Sequence, residues 1–205
     1  MTIQQVQPKR RLPVGAELQP GGGVHFRVWA PKSRTVKVQL LGNEKGAQST
    51  EHELSPDGAG YFSGFVKEAR EGQRYLIALH SGAFPDPASR FQPDGAHGPS
   101  QVVDPARYSW SDTGWQGVTA EGQVIYEMHI GTFTPEGTWA AAEAQLPALA
   151  DLGITLLEIM PIADFPGRYG WGYDGVNLFA PTRLYGQPDD CRRFVDREFQ
   201  NGRGF

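Results

Sequence analysis

Four carboxylates lie within or directly after two apolar runs in the second half of the chain. The runs are QVIYEMHIGTF and ITLLEIMPI, and the carboxylates are Glu127, Glu158, Asp164 and Asp174. A pair of carboxyl groups can supply the acid and the nucleophile or base that hydrolyse a glycosidic bond. A Glu inside a buried strand can equally be paired with an Arg or His of the fold, and this structural role is favoured for Glu127 and Glu158. His129 has the same ambiguity.

Aromatic rings are concentrated in WGYDGVNLFAPTRLYG, residues 171 to 186, directly after the second run. A loop that follows a parallel strand lies where α/β enzymes place their sites, and the apolar C–H faces of a sugar can stack on such rings. Buried packing is the commoner use of aromatic rings, and it is favoured for Phe179 and Tyr185. For Tyr173, which has less apolar company, the spacing alone leaves both roles open.

The first half of the chain shows the period-two alternation of β-strands. VHFRVWA, residues 24 to 30, places Val24, Phe26 and Val28 on one face, and TVKVQLLG then predicts a hairpin partner. GYFSGFVKE and QRYLIALHSG continue the pattern at spacings of about 10 residues. These runs predict an antiparallel β-sandwich, since no helical period is visible before residue 120.

The second half predicts the order strand, helix, strand, helix, which is the unit of a parallel α/β sheet. QVIYEMHIGTF has the composition of a strand that is buried on both faces. Thr138 is the predicted N-cap of a helix that ends at Gly153 and that Pro147 should kink or split. Its predicted buried face consists of Trp139, Ala142, Leu146 and Leu149. ITLLEIMPI, residues 154 to 162, is predicted as the next buried strand, and Pro188 begins the second helix.

Composition argues against several classes of function. The net charge of -4 and the lack of a dense Lys/Arg stripe argue against a nucleic-acid partner. No run approaches the roughly 20 apolar residues of a membrane span, and MTIQQVQPKRRLPVG lacks the apolar region of an export signal. The single cysteine, Cys191, fits a cytoplasmic protein without a disulfide. Searches for phosphate-binding, serine-nucleophile and zinc motifs find nothing, so we predict no cofactor and no metal.

Three segments together resemble the α-amylase superfamily. VIYEMHIGTFTPEGTW, LGITLLEIMPIADFPG and RYGWGYDGVNLFAPTRLYGQPDD are similar to the first two strands of its barrel, and more narrowly to the maltooligosyltrehalose trehalohydrolase family. FPDPASRFQPDGAHGPSQVVDP, residues 84 to 105, resembles the segment that joins that family's immunoglobulin-like domain to its barrel. The resemblance runs from about residue 12 to residue 196. Glycogen branching enzymes and isoamylases share part of the GY...AP...YG pattern and are the nearest alternatives.

The resemblance implies a multidomain β plus α/β protein. An N-terminal immunoglobulin-like β-sandwich, of the early set, is followed by the incomplete start of a (β/α)8 TIM barrel. The predicted bounds are an N-terminal tail at residues 1–11, the sandwich at 12–107, a linker at 108–122 and the truncated barrel at 123–205.

The resemblance also implies a glycoside hydrolase of trehalose biosynthesis and carbohydrate metabolism. Such an enzyme hydrolyses the α-1,4 bond next to the terminal trehalose unit of a maltooligosaccharide and releases trehalose. In the superfamily, the tyrosine of the GY pair after the second strand packs against the sugar whose bond is cut, and Tyr173 matches that position. Trp171 and Asp174 are the other implied substrate-binding residues. The implied ligand is maltooligosyltrehalose or another α-glucan, and no catalytic residue is carried over to this chain.

The chain departs from the family after DDCRRFVD. The family continues through the second helix into a third strand that ends in an Asp-rich segment with a His, whereas REFQNGRGF follows here. The superfamily's nucleophilic Asp, acid Glu and third Asp follow strands four, five and seven. We therefore expect a truncated or frameshifted product with REFQNGRGF as an out-of-frame tail, and we expect no glycosidase activity from the chain alone.

Other hypotheses compete with this fragment of a trehalose-forming enzyme. In one, the chain is a noncatalytic glucan-binding module in which residues 12–105 bind polysaccharide and Tyr173 adds a contact. In another, the parent protein is a glycogen branching or debranching enzyme. In a third, a separately encoded partner completes the barrel.

We predict that residues 12–105 fold without the rest of the chain, because their period-two strands close locally. A fragment of residues 1–110 should give a β-type circular dichroism spectrum and a cooperative unfolding transition. The spectrum of a disordered chain would contradict the domain assignment.

Overall fold

The computed structural model describes residues 10–42 and 48–200. They form two compact units that divide between Asp104 and Pro105. Most of the predicted N-terminal tail, residues 1–9, lies outside the described residues, and so do residues 201–205 of the predicted out-of-frame tail. No helix in the described part of the chain is long and apolar enough to cross a membrane.

The described residues of the first unit form an antiparallel sheet of eight strands. They are β1 (Gly15–Leu18), β2 (Val24–Trp29), β3 (Val36–Leu40), β4 (Thr50–Pro56), β5 (Tyr61–Val66), β6 (Arg74–Leu79), β7 (Gly82–Phe84) and β8 (Ser100–Gln101). The spatial order is β1-β2-β5-β4-β3-β6-β7, and β8 also pairs with β6. β4 pairs with β3 along its first five residues and with β5 through Ser55 and Pro56, so one strand joins the two halves of the sheet.

The two halves of this sheet enclose one apolar core. The alternating residues of β2 and β3 are buried in the same cluster, which confirms the period-two prediction. Phe26 of β2 packs edge to face against Tyr75 of β6, with ring centroids 5.0 Å apart. Strands from the two halves therefore face each other across the core.

The predicted hairpin between residues 24–30 and TVKVQLLG is wrong. β2 pairs with β1 and β5, whereas β3 pairs with β4 and β6. The two strands lie in opposite halves of the curled sheet because both of their apolar faces must reach the same core. The chain between them crosses from one half to the other, which a tight hairpin turn could not do.

His25 is buried although it lies on the outer side of β2. Arg10 covers it: Nη1 donates to His25 Nδ1 at 3.0 Å and to the His25 carbonyl at 2.6 Å, and Nη2 donates to the carbonyl of Gly15 at 2.9 Å. Because a guanidinium can only donate, His25 Nδ1 must accept, so the imidazole is neutral. Burial, followed by the nearby charge of Arg10, lowers the pKa of His25.

The same N-terminal segment is also held by a carboxylate. Glu17 of β1 is buried and accepts hydrogen bonds from the backbone N–H groups of Arg11 and Leu12 at 2.9 and 3.0 Å. These bonds outweigh the effect of burial and lower the pKa of Glu17. The segment that follows residue 9 is thereby fixed across β1 and β2.

The second unit contains four strands and four short or medium helices among the described residues. They are β9 (Ile125–Met128), α1 (Ile130–Phe133), α2 (Trp139–Glu143), α3 (Leu146–Asp151), β10 (Leu156–Ile159), β11 (Ala163–Asp164), β12 (Asn177–Pro181) and α4 (Pro188–Gln200). A 3-10 turn spans Arg183–Tyr185. β9 and β10 pair in parallel, and β11 and β12 form a separate antiparallel ribbon.

The helix predicted after Thr138 is present, and Pro147 divides it into α2 and α3. Thr138 Oγ1 accepts a hydrogen bond from the N–H of Ala141 at 3.3 Å, and Gly153 ends the pair with a φ of +95°. Pro147 lies in the first turn of α3, where the missing N–H has no partner to lose. All four predicted apolar residues are buried, and Trp139 packs against Phe194 of α4 at 5.4 Å between ring centroids.

The strand predicted over residues 123–133 is shorter and more exposed than expected. It ends at Met128, and the last four residues form the helical turn α1. Ile125 is 58% exposed, so the prediction of burial on both faces is wrong for the described residues. Helices cover only the side of β9 that carries Tyr126 and Met128.

Part of the predicted linker is held against α4 within the second unit. Ser111 donates to Asp196 Oδ1 through its N–H and its hydroxyl at 2.8 and 2.9 Å, and the Tyr108 hydroxyl donates to Asp196 Oδ2 at 3.2 Å. α4 itself begins at Pro188 as predicted and continues through Arg197 and Glu198, the start of the predicted out-of-frame tail.

A buried ion pair fixes the start of the loop after β11. Asp164 is fully buried, and Arg183 Nη1 donates to its Oδ1 at 2.9 Å. The same guanidinium donates to the carbonyls of Phe165 at 3.4 Å and Gly167 at 3.1 Å. Arg183 therefore holds β11 and residues 165–167 to the turn that follows β12.

We predict that the chain loses stability as the pH falls from about 7 to 5, the range below the ordinary His pKa. In this pH range His25 takes up a proton in the unfolded chain. In the folded chain its pKa is lowered, so it stays neutral to a lower pH. Arg10 and Arg27 oppose the charged imidazole, and Glu17 and Asp57 favour it. His25→Asn keeps an acceptor for Arg10 but cannot titrate. In denaturant titrations, the free energy of unfolding of this variant should therefore change less with pH than that of the wild type. Equal slopes would contradict the prediction.

We also predict that Arg183→Ala lowers the free energy of unfolding by about 3 to 5 kcal/mol, because it leaves the Asp164 carboxylate buried without its cation. Arg193→Ala is the matched control, since its ion pair with Glu143 at 2.9 Å is on the surface and should contribute about 0 to 1 kcal/mol. Urea titrations of both variants measure the difference. Similar losses would show that Arg183 is not needed to stabilise Asp164.

Candidate functional site

A cavity of about 460 Å³ lies in the second unit, where β9 and β10 end. His129 follows β9, Met160 follows β10, and Phe165 and residues 168–171 form a further wall. The lining is mainly aromatic and apolar, with a few polar groups. The lining residues are His129, Gly131, Thr132, Met160, Phe165, Arg168, Tyr169, Gly170, Trp171 and Tyr185. This composition is typical of a site for a small organic ligand.

A second concavity of about 570 Å³ lies among α2, α3 and α4. Its lining has no aromatic ring, and Glu143 is paired there with Arg193 and Arg197 at 2.9 and 3.5 Å. The charged groups of this groove are thus already paired with one another. It contains none of the predicted site residues and is a weaker candidate.

The predicted site residues are divided between the cavity wall and the loop beyond it. Trp171 lines the cavity and is 79% exposed, so its ring is available to a ligand. Tyr173, 70% exposed, and Asp174, also exposed, follow in the same loop but do not line the cavity.

The packing role predicted for Tyr185 is confirmed, and the one predicted for Phe179 is wrong. Tyr185 is buried beside Trp139 at 6.2 Å between ring centroids. Phe179 of β12 is 56% exposed, so its ring does not pack in the core of the unit. Tyr185 combines both uses of a tyrosine, since its ring is in the core and it also lines the cavity.

Two glycines give the loop its path between Phe165 and Tyr173. Gly172 has a φ of +92°, and a Cβ there would lie 2.0 Å from the carbonyl oxygen of Pro161. A Cβ on Gly170 would lie 2.8 Å from the ring of Phe165. Only glycine lets the backbone approach this closely, so the rings of Trp171 and Tyr173 extend from a backbone that is held tightly against its neighbours.

His129 forms hydrogen bonds both with the loop, at Gly170, and with Tyr185, which also lines the cavity. Its Nε2 lies 2.9 Å from the Gly170 carbonyl oxygen and 3.2 Å from the Tyr185 hydroxyl. A carbonyl can only accept, so Nε2 carries the hydrogen. The Tyr185 hydroxyl hydrogen is then not used by Nε2, and within the described ranges no acceptor is assigned to it. Burial and the charge of Asp174 raise the pKa of Tyr185, which keeps this donor protonated.

The sequence gives no specific signal for this role of His129. The bond to Gly170 joins residues 41 positions apart, and sequence spacing cannot show it. The position of His129 directly after a strand that ends at the site is the only available hint. Arg168 and Thr132 were also not anticipated, since they are ordinary surface residue types that the fold brings to the cavity.

The remaining carboxylates and the cysteine have other environments. Glu127 and Glu158 lie opposite each other on the parallel strands, and both are exposed. Within residues 10–42 and 48–200 neither has an Arg or His ion-pair partner, so the structural role favoured for them is not supported. Burial raises the pKa of Cys191 to about 11, which keeps the thiol protonated. In the described part of the chain, no group of three or more His, Cys, Asp or Glu side chains could hold a metal ion.

One known family matches the first unit. Residues 13–105 match carbohydrate-binding module 48, the isoamylase N-terminal domain. This match and the curled antiparallel sheet confirm the immunoglobulin-like part of the predicted fold.

Relatives with known names cover nearly the whole chain. A malto-oligosyltrehalose trehalohydrolase from Deinococcus radiodurans is 42% identical over 98% of this chain and 32% of its own length. The corresponding protein from Saccharolobus solfataricus is 44% identical over 88% of this chain and 31% of its own length. A solved structure from Salmonella typhimurium, assigned as an alpha amylase, matches with a TM-score of 0.85 and 46% identity over 93% of this chain and 32% of its own.

More distant relatives have other names. A 1,4-alpha-glucan branching enzyme from Xanthomonas oryzae is 34% identical over 89% of this chain and 27% of its own length. A pullulanase from Anoxybacillus, solved with maltotetraose, has a TM-score of 0.74 and 24% identity over 92% of this chain and 33% of its own, which establishes the fold alone.

The relatives show which family of proteins the chain resembles and how much of their length it covers. They are amylase-family proteins named for glycan processing, and the chain spans about a third of the length of the curated relatives it matches. Their identities confirm the family resemblance inferred from the barrel segments. The chain therefore resembles the N-terminal portion of the malto-oligosyltrehalose trehalohydrolases, a glycoside hydrolase family.

Proposed function

We propose that the cavity of the second unit binds a sugar ring of an α-glucan, as part of a glycoside hydrolase that releases trehalose from maltooligosyltrehalose. The observation that carries the proposal is the exposed ring of Trp171 at a cavity that also has hydrogen-bonding groups in its wall. The similarity to trehalohydrolases supports the choice of substrate.

The cavity has the two kinds of contact that a sugar requires. A pyranose has apolar C–H faces and polar hydroxyl groups at its rim. Trp171 and Tyr169 supply exposed rings, and Thr132, Arg168 and the Tyr185 hydroxyl supply polar groups. The volume of about 460 Å³ is within the roughly 300 to 1,000 Å³ of small-molecule sites.

Tyr173 and Asp174 extend this proposed site along the loop. The Tyr173 ring would act as the platform for the sugar at the cleaved bond, the role that the family resemblance implies. The Asp174 carboxylate, which is exposed, would accept hydrogen bonds from sugar hydroxyls. A Cβ on Gly170, which lines the cavity, would lie 3.0 Å from Asp174 Oδ1, and this supports a position near the cavity.

The proposed fold context is the start of a (β/α)8 barrel at residues 123–205. The parallel pairing of β9 with β10, with helices in the connection between them, supports this proposal. The cavity lies where the parallel strands end, as sites do in such barrels. We also propose that residues 12–107 form the sandwich domain and that residues 108–122 form the linker to the barrel.

We further propose a cytoplasmic location, which the single cysteine favours.

We assign substrate binding, not bond cleavage, to these residues. Asp164 is occupied by Arg183. Glu127 and Glu158 are neighbours in register and extend from one face of the sheet. A retaining glycosidase holds its two carboxyl groups about 5 Å apart on either side of the bond, and neighbours on a single flat face cannot enclose a sugar in this way. The chain alone is therefore proposed to be inactive.

A second candidate function is glucan binding without catalysis, with residues 13–105 as the binding module. The match of these residues to carbohydrate-binding module 48 is the observation that favours it. The two functions are compatible in one protein. They differ in which unit contributes most to glucan affinity.

We predict that Trp171→Ala and Tyr173→Ala each weaken the binding of a maltooligosaccharide about 5-fold, since one ring contact contributes about 1 kcal/mol. Isothermal titration of the chain with maltoheptaose measures the affinity, and the melting temperature should change little because both rings are exposed. Phe179→Ala is the matched control, an exposed ring of the same unit that does not line the cavity. If Phe179→Ala weakens binding as much, or if the other two variants bind normally, the proposed site is wrong.

A further inference from the structure

An exposed tryptophan lies on the outer face of the first unit. Trp29 at the end of β2 is 59% exposed, and it lies opposite Tyr61 of β5 in the antiparallel register. Arg27 and Ser63 form the next pair on the same face. The indole thus lies at one end of a polar row and is not part of a continuous apolar patch.

The Trp29 ring is hydrogen-bonded at one edge and is largely exposed. Its Nε1–H donates to the carbonyl of Ala59 at 3.2 Å. Ala59 is the one non-glycine residue with a positive φ, +48°, among the described residues, and a Cβ on Gly60 would lie 2.7 Å from Pro31. The tight turn between β4 and β5 therefore sets the position of the edge of the indole.

A compensated pair of charges lies beside the ring. Arg27 Nε donates to Asp57 Oδ2 at 2.6 Å, and Nη1 donates to the carbonyl of Pro13 at 2.7 Å. The guanidinium also stacks on the Tyr61 ring, 3.8 Å from its centroid. The hydrogen bond from Arg27 lowers the pKa of Asp57. Within the described residues no partner is assigned to Arg27 Nη2, so the pair still has a donor to offer.

We propose that this surface, formed by Trp29, Arg27 and Asp57, binds a pyranose ring of a neutral α-glucan. The open indole face would stack on the apolar face of the sugar, while Arg27 and Asp57 would bind its hydroxyl groups. The opposite charges cancel, so the surface has little attraction for a phosphate or another anion. A single flat ring with a polar border suits a sugar better than it suits the apolar centre of a protein interface.

This inference does not depend on the cavity of the second unit. It gives the glucan-binding proposal for residues 13–105 a specific location. The two sites differ in residues and can be disabled separately, which allows each to fail on its own.

Native gel electrophoresis of the full chain in gels with and without glycogen tests the surface. Trp29→Ala should lose most of the retardation that glycogen causes, and Asp57→Asn should lose part of it. Phe65→Ala is the matched control, an exposed ring on the same strand pair, opposite His25, and should be retarded like the wild type. All variants are compared in the wild-type and the Trp171→Ala backgrounds, so that the cavity cannot hide the effect.

The outcomes separate this surface from the cavity. Normal retardation of folded Trp29→Ala in both backgrounds overturns the proposal, even if Trp171→Ala is impaired. An effect of Trp29→Ala with no effect of Trp171→Ala supports the surface and argues against the cavity. If Trp29→Ala is unfolded by circular dichroism, Asp57→Asn decides: reduced retardation supports the surface, and normal retardation overturns it. A change from dimer to monomer in Trp29→Ala, with unchanged retardation, would show that a second copy is the partner and would also overturn it.

Discussion

The wall of the cavity depends on the buried pairing of Arg183 with Asp164. A fully buried carboxylate is costly unless a cation and hydrogen bonds compensate it, and Arg183 supplies both through its side chain and its N–H. The same guanidinium binds the carbonyls of Phe165 and Gly167. One side chain therefore neutralises the charge at the end of β11 and fixes the first residues of the loop that continues to Trp171.

From that anchor, the rest of the loop is positioned by close backbone contacts. Gly172 passes so near Pro161 that no side chain would fit, and His129 binds the carbonyl of Gly170. The loop is thus fixed at its beginning by an ion pair and near its tip by a histidine that directly follows β9. This arrangement exposes two rings on a backbone that contacts its neighbours closely, which would reduce the ordering cost of the proposed binding.

Local features of the sequence predicted local structure well, and non-local features were missed. Thr138, Pro147 and Gly153 act within one turn of their own positions, so the cap, the break and the end of the helix could be predicted from residue type. The period-two pattern predicted the core of the first unit for the same reason. The partners of β2 could not be predicted, because pairing is decided by how the whole sheet closes around its core. The role of His129 depends on a contact with Gly170 across 41 residues.

Trp29 and Trp171 show the same physical solution in two separate units. An exposed indole loses favourable burial, and it can bind a ligand well only if little rotational freedom remains to be lost. Trp29 is restrained at one edge by the bond from its Nε1–H to Ala59, and 59% of the residue is exposed. For Trp171 the restraint is on the adjoining backbone, since Gly170 and Gly172 on either side are both held against neighbouring residues. Both exposed tryptophans therefore have a restraint close to the ring, at the edge of the indole in Trp29 and in the adjoining backbone in Trp171.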